Sequence, residues 1–158
     1  MSFLFYLCDD PKVLAQVGRV AIEHHLDHIQ RTDNCANCSP ADTIAQIASS
    51  YAYVLARLQE PEKAITMLQS VLDAREKDMS RYQVADLYIT AVDILYGANQ
   101  MQKAREKLDY ALPAFRNTNR VDRLMELDRL VSESEWTKNS AASVDKKARS
   151  AQAQPAPY

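Results

Sequence analysis

The chain has 158 residues, of which 47% are hydrophobic and 25% charged, a composition typical of one globular domain with a sizeable core. Its 2 Gly and 6 Pro are too few for the many tight turns of an all-β fold. The net charge of −2 provides no basic field for nucleic acid, and no apolar run reaches the roughly 18 residues of a transmembrane helix. We therefore expect neither a nucleic-acid partner nor membrane insertion.

An apolar segment in residues 1–9 opens the chain. It lacks the basic region and the length of a secretion signal, and the odd number of cysteines, 3, indicates a reducing compartment, so we expect a cytoplasmic protein. Six consecutive apolar side chains are too many to leave in water on a small monomer. We predict that they form a protein–protein interface, in a homodimer or a larger assembly. The candidate interface residues are Phe3, Leu4, Phe5, Tyr6 and Leu7.

Six helices are predicted from apolar stripes at helical spacing. Asp10 precedes Pro11 and Ser39 precedes Pro40, and each pair places a capping residue before a first-turn proline. The short links between the helices require neighbours to run antiparallel. The predicted fold class is therefore all-α. The predicted helices cover residues 11–31, 40–58, 61–77, 80–97, 100–116 and 119–135.

The end of the first predicted helix and the loop after it hold all three histidines and two of the three cysteines. His24 and His28 share one helix face, and Cys35 and Cys38 have the spacing of a zinc knuckle. One alternative is therefore a structural zinc site with these four ligands. The others are histidines that suit the helix dipole beside buried thiols, and a redox dithiol. Zinc is the one cofactor that the sequence suggests; otherwise we expect none.

Two stretches of the chain repeat each other at a spacing of 40 residues. The first covers 51–74 and the second 91–114. Such a period is typical of a unit that cannot bury its apolar face alone and stacks on copies of itself. Apolar or small residues occupy equivalent positions in both stretches. In the first stretch they are Ala52, Leu55, Ala64, Leu68, Val71 and Leu72, and 40 residues later they are Val92, Leu95, Ala104, Leu108, Ala111 and Leu112.

These copies, over residues 44–116, resemble the tetratricopeptide repeat, whose two helices carry a small residue where they cross. Ala64 and Ala104 occupy that place. The period of 40 and the replacement of the closing proline by Glu76 and Arg116 are similar to the longer variants, such as those of kinesin light chains. The resemblance implies stacked antiparallel hairpins in a short α-solenoid, with the sixth helix, 119–135, as its cap.

In this family the first helices of successive repeats line a groove that holds a partner peptide or helix. The resemblance implies that aromatic residues supply contact area there, while one cation and two carboxylates select the partner's charge pattern. The alternative is that the two tyrosines only pack against neighbouring helices. The groove residues implied are Gln46, Ser49, Tyr53, Arg57, Asp86, Ile89, Asp93 and Tyr96.

The sequence thus predicts a helical domain over 1–136 and a disordered basic tail over 137–158, where large apolar residues almost disappear. No phosphate loop, nucleophile elbow or zinc-protease motif occurs, so we expect no enzyme. The predicted function is a non-catalytic adaptor or scaffold that binds a protein or peptide partner. The alternatives are a zinc-stabilised subunit of a larger assembly and a chaperone for a secreted or aggregation-prone client.

Overall fold

A computed structural model describes the backbone of residues 10–31 and 41–152, and the side chains of residues 10–24 and 43–138. These residues form six α-helices and one short 3₁₀ turn, Glu76–Asp78, with no strand among them. The all-α prediction is confirmed. The helices are α1 (Pro11–Arg31), α2 (Ala41–Arg57), α3 (Pro61–Arg75), α4 (Arg81–Gly97), α5 (Met101–Phe115) and α6 (Val121–Gln152).

The 40-residue period of the sequence is also the period of the helices. Helices α2, α4 and α6 begin at Ala41, Arg81 and Val121, each 40 residues after the one before. Helices α2 and α4 both have 17 residues, and α3 and α5 both have 15. Helices α2 and α3 form the first hairpin, and α4 and α5 form the second. In the 40-residue register, the start of α6 corresponds to the starts of α2 and α4, the first helices of these hairpins.

The turns inside the two hairpins repeat each other as well. Gln59 and Asn99 adopt left-handed backbone conformations, with φ of 63° and 62°. In both turns the next amide reaches back five residues, from Glu60 to the Leu55 carbonyl and from Gln100 to the Leu95 carbonyl, each at 2.9 Å. This pattern satisfies the carbonyls at a helix end and fixes the angle at which the next helix leaves. Local backbone chemistry thus gives both hairpins the same geometry.

The hydrophobic core runs between the helices, with α4 at its centre. Helix α4 contacts α2 and α6 on either side, and it packs against α3 and α5. Its buried residues consequently surround the helix, whereas α6 buries one stripe of Leu124, Leu127 and Val131. Helix α1 packs against α2, where Gly18 lies directly under the ring of Tyr51.

A polar junction joins α5 to α6. The Arg105 guanidinium bonds to Asp128, donates to the Ser132 hydroxyl at 2.7 Å, and lies 3.4 Å from Glu135. One period earlier, the corresponding residues of α4 are Tyr88, Val92 and Leu95, and that of α3 is Ile65. Positions that are apolar where α3 meets α4 are therefore polar where α5 meets α6, which suits a helix that ends the core.

The sixth helix is longer than the sequence predicts. The predicted helix ends at residue 135, whereas the helical backbone of α6 continues to Gln152. Residues 137–152 contain Ala, Ser, Lys, Arg and Gln with no Gly or Pro, so local propensity favours a helix even where no apolar stripe remains. The rest of the predicted tail, residues 153–158, lies outside the described residues.

Candidate functional site

A cavity of about 650 Å³ opens between α2 and α4 at the start of α6. Its walls are successive rows of side chains at helical spacing, because residues three and four apart share one face of a helix. From α2, the lining residues are Ala45, Gln46, Ser49, Ser50 and Tyr53. From α4, they are Tyr82, Gln83, Asp86, Ile89 and Thr90. Arg120, which directly precedes α6, also lines the cavity.

A second cavity of about 350 Å³ continues along the same two helices toward their carboxyl ends. Tyr53 lines both cavities and stands between them. Arg57 and Asp93 line the second cavity, and Arg57 has no ion-pair partner in the described part of the chain. We call the two cavities together the α2–α4 groove.

The Tyr53 hydroxyl is fixed by a carboxylate on the next helix. It donates a hydrogen bond to Asp93 Oδ2 at 3.0 Å, one period further along the chain. Burial, and then the Asp93 charge, raise the pKa of Tyr53 to about 12. The ring is therefore held between the two cavities with one face open to solvent.

Both groove carboxylates are neutralised by arginines at the start of α6: Arg120, which directly precedes the helix, and Arg123 in its first turn. Arg123 Nη2 lies 2.9 and 3.1 Å from the two carboxylate oxygens of Asp93. Arg120 donates from Nη2 to Asp86 Oδ2 at 2.9 Å, and its Nε lies 2.5 Å from Asp86 Oδ1. The hydrogen bond to Asp86 raises the pKa of Arg120, and the hydrogen bonds to Glu126 and then to Asp93 raise the pKa of Arg123. Asp86 and Asp93 thus already have intramolecular partners.

Uncharged groups on the groove floor remain available to a ligand. Thr90 bonds to Ser49 at 3.2 Å and to the Asp86 carbonyl at 2.8 Å, so it ties the two helices together. Gln46 and Ser50 line the cavity and have no hydrogen-bond partner among the described residues. The groove can therefore offer an amide, hydroxyls, two tyrosine rings and one apolar side chain, Ile89, to a polypeptide.

Seven of the eight predicted groove residues line the α2–α4 groove. The exception is Tyr96, which packs against the hydrophobic core. The residues that sequence reasoning missed include Ser50, Thr90, Tyr82, Arg120 and Arg123. Tyr82 could have been found because it lies one turn before Asp86 on the same face, and the arginines by extending the 40-residue register into the sixth helix.

Neither sequence nor structure comparison places the chain among known proteins. Among protein-family models, curated proteins and solved structures, none matches it. The described part of the chain has no helix that is both long and apolar enough to cross a bilayer.

Most of the other predicted site residues lie outside the described ranges. These are the interface segment Phe3 to Leu7, and Cys35 and Cys38 of the zinc prediction. His24 is an exposed residue of α1, and His28 lies in the same helix with its side chain outside the described residues. Within the ranges that the structure describes, no three His, Cys, Asp or Glu side chains lie close enough to share a metal ion. The zinc site stays a prediction.

Metal analysis of the purified protein checks the zinc prediction. Protein prepared without chelator should carry about one zinc per chain, because two thiolates and two imidazoles complete a tetrahedral site. Cys35→Ser and Cys38→Ser should each remove the metal and lower the melting temperature, since metal binding contributes to folding. Cys8→Ser is the matched control and should retain the zinc. Wild-type protein with far less than one zinc per chain would contradict the prediction.

Proposed function

We propose that the protein is a non-catalytic scaffold that binds an extended peptide segment of a partner protein in the α2–α4 groove. The architecture that we propose is a short tetratricopeptide-like solenoid, in which α2, α4 and the first half of α6 are successive first helices. The observation that carries the proposal is the juxtaposition of seven predicted groove residues around two continuous cavities.

The repeat of helix positions and turn geometry supports the solenoid. Stacked repeats expose the same rows of side chains on each unit, and these rows form a continuous surface. Tyr53 and Asp93 occupy the same place in consecutive units and contact each other directly. Ser49 and Thr90 make a second contact between the same two rows.

The size and lining of the groove suit a polypeptide. The larger cavity falls within the range of roughly 300–1,000 Å³ that is usual for ligand sites. Tyr53 and Tyr82 offer rigid aromatic surface, which commonly contributes much of the binding energy at protein interfaces. Gln46 and Ser50 can exchange hydrogen bonds with a peptide backbone, which an extended segment exposes at every residue.

The ion pairs that Arg120 and Arg123 form with Asp86 and Asp93 limit which peptides the groove can bind. Because Arg120 and Arg123 neutralise Asp86 and Asp93, the groove does not present free carboxylates that would select a basic partner. A basic ligand would have to displace Arg120 or Arg123 to reach these carboxylates. We therefore propose that the bound segment is mainly apolar and uncharged polar, with one acidic residue favoured near Arg57 at the far end.

Selection of peptides from a random display library tests the proposal. Peptides enriched on the wild-type chain should lose roughly tenfold or more in affinity for Tyr82→Ala, because this variant removes an aromatic contact from the groove. Tyr110→Ala is the matched control, since Tyr110 is 50% exposed and Tyr82 44%, but Tyr110 contacts Tyr88 and Phe115 away from the groove. Equal affinities for both variants would place the binding surface elsewhere.

A further inference from the structure

Helix α1 carries a second apolar surface that the proposed groove does not use. Its inner face packs on α2 through Leu14, Gly18 and Ile22. On its outer face, Val13 and Val20 are 48% and 55% exposed. Together with Val17, these residues lie four and three residues apart and so form one stripe.

The outer stripe borders an open groove of about 390 Å³, which Gln16 and Ala21 also line. Every described residue of that lining belongs to α1. Three β-branched residues at this spacing form the kind of seam that antiparallel or parallel helix pairs use.

The charges beside the stripe identify the partner as a second copy of the chain. Lys12 and Glu23 are both exposed and are 11 residues apart, which is three turns of an α-helix. They therefore lie on the same flank of the stripe, at opposite ends and about 16 Å apart along the axis. Neither side chain has an ion-pair partner among the described residues.

We propose that two copies of the chain associate through antiparallel α1 helices, with the two-fold axis near Val17. In this arrangement Lys12 of each copy faces Glu23 of the partner subunit, and the contact occurs twice because a two-fold interface is self-complementary. Arg19 on the same flank then faces the uncharged Gln16 of the partner subunit. A parallel arrangement would instead place Lys12 and Glu23 on opposite sides of the seam from Lys12 and Glu23 of the partner subunit, so these charges could not pair.

Sedimentation of the full chain tests the apolar part of the seam. The wild-type chain should form a concentration-dependent dimer, and Val20→Lys should be monomeric because two lysines would be buried in the seam. Met125→Lys is the matched control: Met125 is an apolar residue of α6 that is 59% exposed, and its variant should remain dimeric. A wild-type monomer, or a dimer that Val20→Lys leaves intact, would overturn the proposal.

A charge exchange tests the register. Lys12→Glu and Glu23→Lys should each raise the dimer dissociation constant by about tenfold, because two exposed ion pairs become repulsive contacts. The double variant should return to the wild-type value within about threefold, since each pair is restored with its charges exchanged. Within one chain the two residues are too far apart to interact, so restoration identifies a contact between copies. A double variant that stays as weak as the single variants would overturn the antiparallel register.

Discussion

Ala104→Leu should destabilise the protein by about 1–3 kcal/mol. Ala104 and its equivalent Ala64 are fully buried, on the helices that pack against α4 and α2. A leucine adds three carbons at a place with no free volume, and close-packed interiors accommodate such additions only by moving helices apart. Ala64→Leu should therefore behave in the same way. Urea titrations of the free energy of unfolding measure both effects.

Ala74→Leu is the control for the two substitutions. Ala74 is exposed near the end of α3, so the same added carbons meet solvent and the free energy of unfolding should change by less than about 0.5 kcal/mol. If the buried variants are as stable as this control, Ala64 and Ala104 are not at close contacts between helices. The tetratricopeptide resemblance would then lose its strongest residues.

The helices and their order could be predicted from the sequence because their signals are local. Prolines at Pro11 and Pro61 mark first turns, and the apolar stripes have one period throughout. The predicted starts of α1 and α3 agree with the structure, and the others differ by one or two residues. The end of α6 could not be predicted in this way, because a segment that buries no apolar side chains can still form a helix. Its backbone stays helical to Gln152, beyond the buried stripe.

The positions of the groove residues could be predicted better than their chemistry. Their rows follow from helical periodicity, which is a property of each helix alone. The state of Asp86 and Asp93 depends instead on where the sixth helix packs, and the pairs that they form with Arg120 and Arg123 are 34 and 30 residues apart in sequence. A carboxylate that is predicted to select a partner thus binds within its own chain. In the proposed groove, recognition would therefore depend on shape and hydrogen bonds more than on the charges of Asp86 and Asp93.

Gly18→Ala should also destabilise the protein, although alanine is the better helix former. The added Cβ would lie 2.6 and 2.7 Å from Cδ2 and Cγ of Tyr51, and 3.0 Å from its Cβ. These atoms are close to the backbone of α2, and the ring is buried, so a change of rotamer does not relieve the contact. Helix α1 must move outward, which loosens the packing of Leu14 and Ile22. Overpacking of about 1–3 kcal/mol exceeds the gain of at most about 1 kcal/mol from helix propensity.

Gly97→Ala is the matched control, because it makes the same change in a helix where an added Cβ meets no atom within 4 Å. Its free energy of unfolding should stay equal to that of the wild type or rise by up to about 1 kcal/mol. A net loss of about 1–2 kcal/mol for Gly18→Ala corresponds to a melting temperature several degrees lower in a domain of this size. If Gly18→Ala were as stable as Gly97→Ala, α1 would not lie this close to α2. The outer face of α1 would then have a different orientation, and the proposed antiparallel seam would lose its geometric basis.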